Sequence, residues 1–395
     1  MRNRLHQTVA AVALLSILAL GAADGVVRLL AERRLEIPYR NGLPDGAREA
    51  LVTFNGLLLR ATGRRMVSGT RHADVLRLNN GQLALCPVAR TGRLRRKAVR
   101  DISRALAGVR DELARSGTPL VFVLCPSKVP PGGVGLPAGM EDDDNLLADL
   151  LVERLGQNGI ECLDLRRRIA EEGLDHASLF FRTDHHWTPA AGLWAANETA
   201  AFLRDRHGFP ADLSRTAPER FESRRIADRF LGSFGRRAGL GYAGSEPFDA
   251  VLPRFPTDFA FDVPQRSLHA EGGFAEAFLR GIGPTNSLYQ ASYYDSYLAS
   301  NPPFVRIENR SGGNGRTLCV VKDSFACVLL PPLAIHYGRI VLLDPRLDPG
   351  LSLFRTVRDE GADAVLFVLN PNSLIRPNGF FGRRFLQPLP PDDAP

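Results

Sequence analysis

No Cys-x-x-Cys pair and no Cys/His cluster occurs in this sequence, so its five cysteines (Cys86, Cys125, Cys162, Cys319 and Cys327) show neither zinc-site nor disulfide-framework spacing. An odd count leaves at least one thiol unpaired. Cys125, Cys162 and Cys319 lie within apolar, strand-like runs, where a free cysteine behaves as a small buried hydrophobe. A basic stripe interleaved with aromatics is also missing. The net charge of +7 is scattered apart from Arg93-Leu94-Arg95-Arg96-Lys97 and Arg166-Arg167-Arg168, which argues against nucleic acid as a partner. There are no internal repeats, and nothing in the composition marks a disordered chain, since 44% of residues are hydrophobic and 24% charged. No cofactor and no resident metal is expected.

Long apolar runs are scarce, and the one that exists is N-terminal. Arg2 and Arg4 precede a stretch from about Thr8 to Ala23, interrupted by Ser16 and extendable past Asp24 through Val26 to Leu30. A positive end followed by such a run fits a signal or signal-anchor segment with its charges held in the cytoplasm. We read residues 1–30 as an uncleaved anchor, with Gly21-Ala22-Ala23 as the alternative cleavage site. Residues 31–80 then form a juxtamembrane region. This implies a single-pass membrane protein whose remaining chain lies outside the cytoplasm.

From residue 81 to about 380 the chain alternates between helical periodicity and short apolar runs. Helices are expected over 100–116, 145–158, 188–207, 324–336 (interrupted by Pro331-Pro332) and 351–360, with Thr188-Pro189 supplying an N-cap and a first-turn proline. Strands are expected over 119–125, 160–165, 317–321, 339–343 and 362–369. This alternation predicts an α/β fold with a parallel sheet covered by helices on both faces. The rhythm fails over about 208–315, which is rich in Pro, Gly, Phe and Tyr and reads as a β-rich insertion. Residues 381–395 read as a disordered tail.

Two segments carry chemistry. In Phe181-Arg-Thr-Asp-His-His-Trp-Thr-Pro189, an extended backbone puts Asp184 and His186 on one face. There the carboxylate holds one imidazole tautomer and stabilises the imidazolium formed when the ring takes a proton. In Leu318-Cys-Val-Val-Lys-Asp-Ser-Phe325, an apolar strand ends in a turn bearing Ser324 and a helix follows. That places a hydroxyl at the carboxyl end of a parallel strand, beside helix N-terminal amides that stabilise an oxyanion. Nucleophile, base and orienting carboxylate are all supplied, in the chain order Asp184, His186, Ser324. Asp184-His185-His186 also has the look of a metallophosphoesterase motif, although such sites need further Asp and His ligands for two ions.

These segments, with the trailing His336-Tyr-Gly-Arg-Ile-Val-Leu-Leu-Asp-Pro-Arg346, resemble the DHHW family, which is related to the SGNH-like periplasmic alginate O-acetyltransferase proteins. The likeness extends to Val121-Phe-Val-Leu-Cys-Pro-Ser-Lys128, to Arg229-Phe-Leu-Gly-Ser-Phe-Gly-Arg-Arg237 and to Leu298-Ala-Ser-Asn-Pro-Pro303, and covers roughly residues 80–375. It implies an SGNH-hydrolase-like three-layer α/β/α fold with Ser324 as nucleophile, His186 as base and Asp184 as its orienter. It further implies Ser324's amide, with Gly232 or Asn301, as oxyanion donors. Ala299-Ser300 stands where many relatives read Gly-Gly before the asparagine. His185 and Lys128 are candidates for the substrate cleft, with solvated loop residues as the alternative. The implied activity is O-acetyl transfer to, or acetyl-ester hydrolysis on, an extracytoplasmic polysaccharide, with a membrane-bound O-acyltransferase as partner and acetyl donor. A non-catalytic glycan-binding or scaffold component of a polysaccharide export or modification complex is the alternative.

Overall fold

The computed structural model describes residues 66–67, 75–85, 92–137, 140–280, 287–290, 292–375 and 380–390. The expected anchor, most of the juxtamembrane region and Cys86 lie outside the described residues. Among the described residues, no helix is long and apolar enough to cross a membrane.

Strands β1 (Met66–Val67), β2 (Val75–Arg77) and β3 (Leu83–Leu85) form a small antiparallel sheet. The main sheet has eight strands in the order β5-β4-β13-β11-β12-β10-β8-β9. Here β4 is Leu120–Leu124, β5 Glu161–Asp164, β8 Phe259–Val263, β9 Leu268–Gly272, β10 Phe304–Asn309, β11 Thr317–Lys322, β12 Arg339–Leu343 and β13 Ala364–Leu369. β6 (Phe221–Phe230) and β7 (Glu246–Pro253) form a separate antiparallel hairpin. The five strands from β5 to β12 pair in parallel, as expected. β10, β8 and β9 add antiparallel to the far edge, so the sheet is mixed and much of the expected insertion belongs to it. Among the described strands of that insertion, only the β6–β7 pair stands apart from the main sheet.

The central strands are buried on both faces because helices cover both. β4 is buried at all five positions. Its Val121 and Val123 face one core together with Leu318 and Val320 of β11, while Phe122 and Leu124 face the other with Cys319 and Val321. The first face is covered by α3 (Pro189–His207) and α4 (Ala326–Leu333), and the second by α1 (Gly92–Ala114), α2 (Asp143–Gln157) and α5 (Leu353–Glu360). This is the three-layer α/β/α arrangement. Cys125, Cys162, Cys319 and Cys327 are free thiols within it.

Thr188 caps α3 as its sequence predicts, its side chain accepting from the Ala191 amide at 3.2 Å. α4 holds both Pro331 and Pro332, each of which removes an amide from the helical ladder. One carbonyl freed in this way, that of Val328, faces Gly192 of α3. A Cβ on Gly192 would lie 2.5 Å from that oxygen, so only glycine allows these helices to pack this closely. Residues 381–389 depart from the expected disordered tail. Phe385 is buried, Phe381, Leu386 and Leu389 pack on the second core, and the Leu353 amide donates to the Phe385 carbonyl at 3.0 Å.

Candidate active site

The carboxyl ends of β4, β11, β12 and β13 share one rim, and Ser324 sits there in the turn between β11 and α4. Asp323 builds the turn. Its Oδ1 accepts from the Phe325 amide at 2.9 Å, and its Oδ2 accepts from the Asn370 amide at 2.7 Å and the Ser373 hydroxyl at 2.6 Å. The turn is therefore fastened to the end of the neighbouring strand β13. Among the described residues, nothing accepts the Ser324 amide.

Asp184 and His186 come from a tight loop closed by a Phe180–Trp187 bridge, not from an extended strand. They still meet, because Asp184 Oδ1 accepts both the His186 backbone amide at 2.9 Å and His186 Nδ1 at 2.7 Å. An aspartate bonding the backbone two residues on is the turn chemistry of that residue type. Oδ2 accepts from the Ser233 amide at 2.6 Å. Burial by itself would raise the Asp184 pKa, but the two neighbouring imidazoles and these hydrogen bonds hold it well below the usual carboxylate range. The carboxylate is thus ionised and accepts Nδ1–H, which leaves His186 Nε2 as an acceptor. Nε2 lies 2.8 Å from Ser324 Oγ.

The His186 ring is held on both flat sides. Tyr294 stacks on it with centroids 3.7 Å apart and planes 6° from parallel, and His185 lies 3.6 Å away on centroids. The Tyr294 hydroxyl donates to the Ser324 carbonyl at 3.0 Å, and burial raises its pKa, so it stays protonated. Trp187 donates its indole N–H to the Phe325 carbonyl at 2.8 Å, joining the histidine loop to the serine turn. Tyr294 was missed in the sequence because it lies in the irregular 208–315 region.

The other expected site residues fall as follows. His185 has a side chain 39% exposed and bonds Ser233 Oγ through Nδ1 at 2.7 Å. Desolvation, then the adjacent His186, lower its pKa, so it is neutral at neutral pH. Gly232 does not present its amide to the site. It donates to Thr183 Oγ1 at 2.9 Å, and the residue is glycine for space, since a Cβ would lie 2.4 Å from Asp184 Cβ. Lys128 is neither a cleft residue nor solvated. It is buried, and its ammonium donates to the carbonyls of Phe181, Arg182 and Asp184 at 2.5, 3.0 and 2.6 Å.

Asn301 closes a rare backbone feature. Leu298, Ala299, Ser300 and Asn301 have φ of 49°, 52°, 64° and 55°, a left-handed turn built without glycine. Each such residue costs roughly 1–2 kcal/mol, which explains why glycines suit the two positions before the asparagine. The Ser300 amide and hydroxyl both donate to the Asp295 carbonyl, and Asn301 Nδ2 donates to Asp344 Oδ2 at 3.1 Å. Its Oδ1 accepts from the fully buried Lys322, which lies 3.7 Å from Asp344, itself paired with Arg346 at 2.7 Å. The carboxamide is therefore fixed in one orientation beside Cys327, one helical turn from Ser324.

Asp184, His185 and His186 are the one trio of candidate metal ligands gathered among the described residues, with ligand atoms within 4.8 Å. Both Asp184 oxygens already accept hydrogen bonds, and three groups do not supply the ligands of a two-ion phosphoesterase.

Residues 89–265 match the family described as the SGNH hydrolase-like domain of acetyltransferase AlgX, a span that holds Asp184 and His186 and ends before Ser324. The alginate biosynthesis protein AlgX of Pseudomonas aeruginosa is 30% identical over 190 residues, 47% of this chain and 38% of that protein. The chain thus matches well under half of this curated relative. Bacillus cereus PatB1, solved with a sulfonyl adduct, is similar in fold with a TM-score of 0.61 and 17% identity over 78% of this chain and 97% of that one. A DHHW family protein from Eubacterium siraeum gives 0.58 and 17% over 82% and 98%. Residues 89–265 are accordingly similar to the SGNH hydrolase-like domain of AlgX, and the fold is one the chain shares with a DHHW family protein.

Proposed function

We propose that this protein is a polysaccharide O-acetyltransferase or acetylesterase that works through an acyl-Ser324 intermediate. The observation that carries the reading is the unbroken chain Asp184–His186–Ser324, with bonds of 2.7 and 2.8 Å at the carboxyl rim of the sheet. Ser324 Oγ attacks the acetyl carbonyl and its proton passes to His186 Nε2. Collapse breaks the bond to the donor's leaving oxygen, which takes that proton. A sugar hydroxyl, or water, then gives a proton to His186 Nε2 and attacks the acyl carbon, and Ser324 recovers its proton as the ester breaks. Asp184 holds the ring and stabilises the imidazolium throughout. The Ser324 amide stabilises the oxyanion, with the Nδ2 hydrogen of Asn301 that is not given to Asp344 as the second candidate donor; the single amide hydrogen of Gly232 is already given to Thr183.

The polysaccharide acceptor is supported by the named role of the AlgX relative in alginate biosynthesis. A membrane-bound O-acyltransferase as acetyl donor, and an N-terminal anchor holding the domain in the periplasm, complete the proposal. The test is intact-protein mass spectrometry after incubation with an activated acetyl ester. One acetyl added to the parent and none to Ser324→Ala is expected. Equal ester turnover by the two proteins would overturn the reading, and binding of oligosaccharide without any acyl adduct would favour a non-catalytic glycan-binding component.

A further inference from the structure

The loop that carries Asp184 and His186 has little sheet or helix to complete its backbone hydrogen bonds, and buried backbone groups must be paired. Two charged side chains from distant parts of the chain complete them. Lys128, four residues past β4, takes the carbonyls of Phe181, Arg182 and Asp184. Glu246, the first residue of β7, takes the amides of Arg182 and Thr183 at 2.7 and 2.6 Å and the Thr183 hydroxyl at 2.5 Å. The cation takes only carbonyls and the anion only N–H and O–H donors, on opposite polarities of one four-residue stretch. The remaining carbonyl, that of Thr183, accepts from the Gly235 amide at 2.8 Å.

Charge-assisted bonds of this kind are stronger and shorter than neutral ones. A surface lysine and glutamate would ordinarily remain hydrated. Here the lysine is 7% exposed, and its bonds to the loop carbonyls replace the hydration it gives up on burial. The ammonium also lies 5.5 Å from the Phe234 ring centroid, a cation–π contact from the segment that supplies the Ser233 amide to Asp184.

We infer that Lys128 and Glu246 are positioning residues for the Asp184–His186 pair, gripping residues 181–184 from both polarities so that His186 Nε2 stays aligned on Ser324 Oγ. Neither touches the reacting atoms. The inference rests on the acyl-serine reading for its kinetic consequence but not for its structural one. A misaligned base slows the chemical step without removing the contacts that bind substrate, so kcat falls while KM holds.

The experiment compares the parent with Lys128→Met and Glu246→Gln. Two quantities are measured on each: the rate of Ser324 acylation over a range of activated acetyl ester concentrations, and the proton NMR signal of His186 Nδ1–H in its bond to Asp184. Both variants are expected to acylate at least tenfold more slowly at saturation, with KM within threefold of the parent, and to shift or broaden the Nδ1–H signal. Glu246→Gln keeps the side-chain shape, so it still decides the matter if Lys128→Met fails to fold. Unchanged acylation and an unchanged Nδ1–H signal in folded variants would overturn the inference. If the parent does not acylate but the variants still shift the Nδ1–H signal, the clamp stands and the acyl-transfer reading falls.

Discussion

Ser324 and His186 lie 2.8 Å apart, yet the backbones that carry them are held in different ways. The serine turn continues a regular strand into a regular helix and is built by its own Asp323, which ties it to the adjacent residues and the end of the next strand, with Tyr294 and Trp187 donating to its carbonyls. The Asp-His loop is fastened by Lys128 from one side of the sequence and by Gly232, Ser233, Gly235 and Glu246 from the other. A turn built by its own elements tolerates changes elsewhere, whereas a loop built by distant side chains inherits the fate of each.

The largest effect should come from the loop's own carboxylate. Asp184→Asn presents an amide where His186 Nδ1–H needs an acceptor, and the wrong tautomer results. Acylation of Ser324 should fall roughly 10,000-fold, read by single-turnover kinetics, with the fold retained on circular dichroism. A drop of tenfold or less would mean that His186 is oriented mainly by its stacking on Tyr294.

Gly232→Ala attacks the same loop by sterics. The new methyl would lie 2.4 Å from Asp184 Cβ, with backbone rather than a flexible side-chain tip on the other side. We expect a loss of about 2 kcal/mol of stability in denaturant unfolding, accompanied by slower acylation. An alanine variant as stable and active as the parent would show that the loop has slack.

Lys128 gives the comparison a pH axis. Burial lowers its pKa from 10.5 to about 7, while Asp184 and Glu246 pull it up and Arg182 pushes it down. The unfolded chain therefore binds more protons than the folded one between about 7 and 10.5, and stability from this group rises with pH across that window. Relative to Lys128→Met, the parent should gain up to about 1.4 kcal/mol per pH unit above pH 7, measured by urea titrations at several pH values. Below pH 7 both states hold the proton and the difference should level off. The neutral amine has two hydrogens for three carbonyls, so acylation should weaken over the range in which stability improves.

The smallest effect is expected at Thr188→Ala, which removes the cap of α3. It should cost about 1 kcal/mol in unfolding, with little change in acylation rate, because the cap supports the helix beyond the loop.

The same contrast explains what the sequence made legible. Strands such as β4, β11 and β13 are continuous apolar runs buried on both faces, and their ends fell within two residues of expectation. Ser324 was legible because a strand, a turn and a helix follow one another there. β8 to β10 were not recognised as part of the sheet, because they lie in the irregular region and join it antiparallel, outside the strand–helix alternation that marks the parallel strands. Asp184 and His186 were found by their spacing, but for a different reason: an aspartate turn brings them together, not a shared strand face. Lys128, Gly232 and Glu246 take their roles from contacts 49 to 64 residues away in sequence, and no local pattern encodes those.

The β6–β7 hairpin looks from its topology like an ornament that evolution could exchange between relatives. Its connecting end, however, holds residues that clamp the histidine loop: Gly232 follows β6 and Glu246 opens β7, with Phe230 paired to Glu246 there. Grafting a foreign hairpin here would therefore unfasten the Asp184–His186 loop even if the graft folded well, unless the donor carried a space-making residue and a carboxylate in the same register. Variation among descendants should accordingly gather at the Phe221–Pro253 end of the hairpin and spare the end where Gly232 and Glu246 lie.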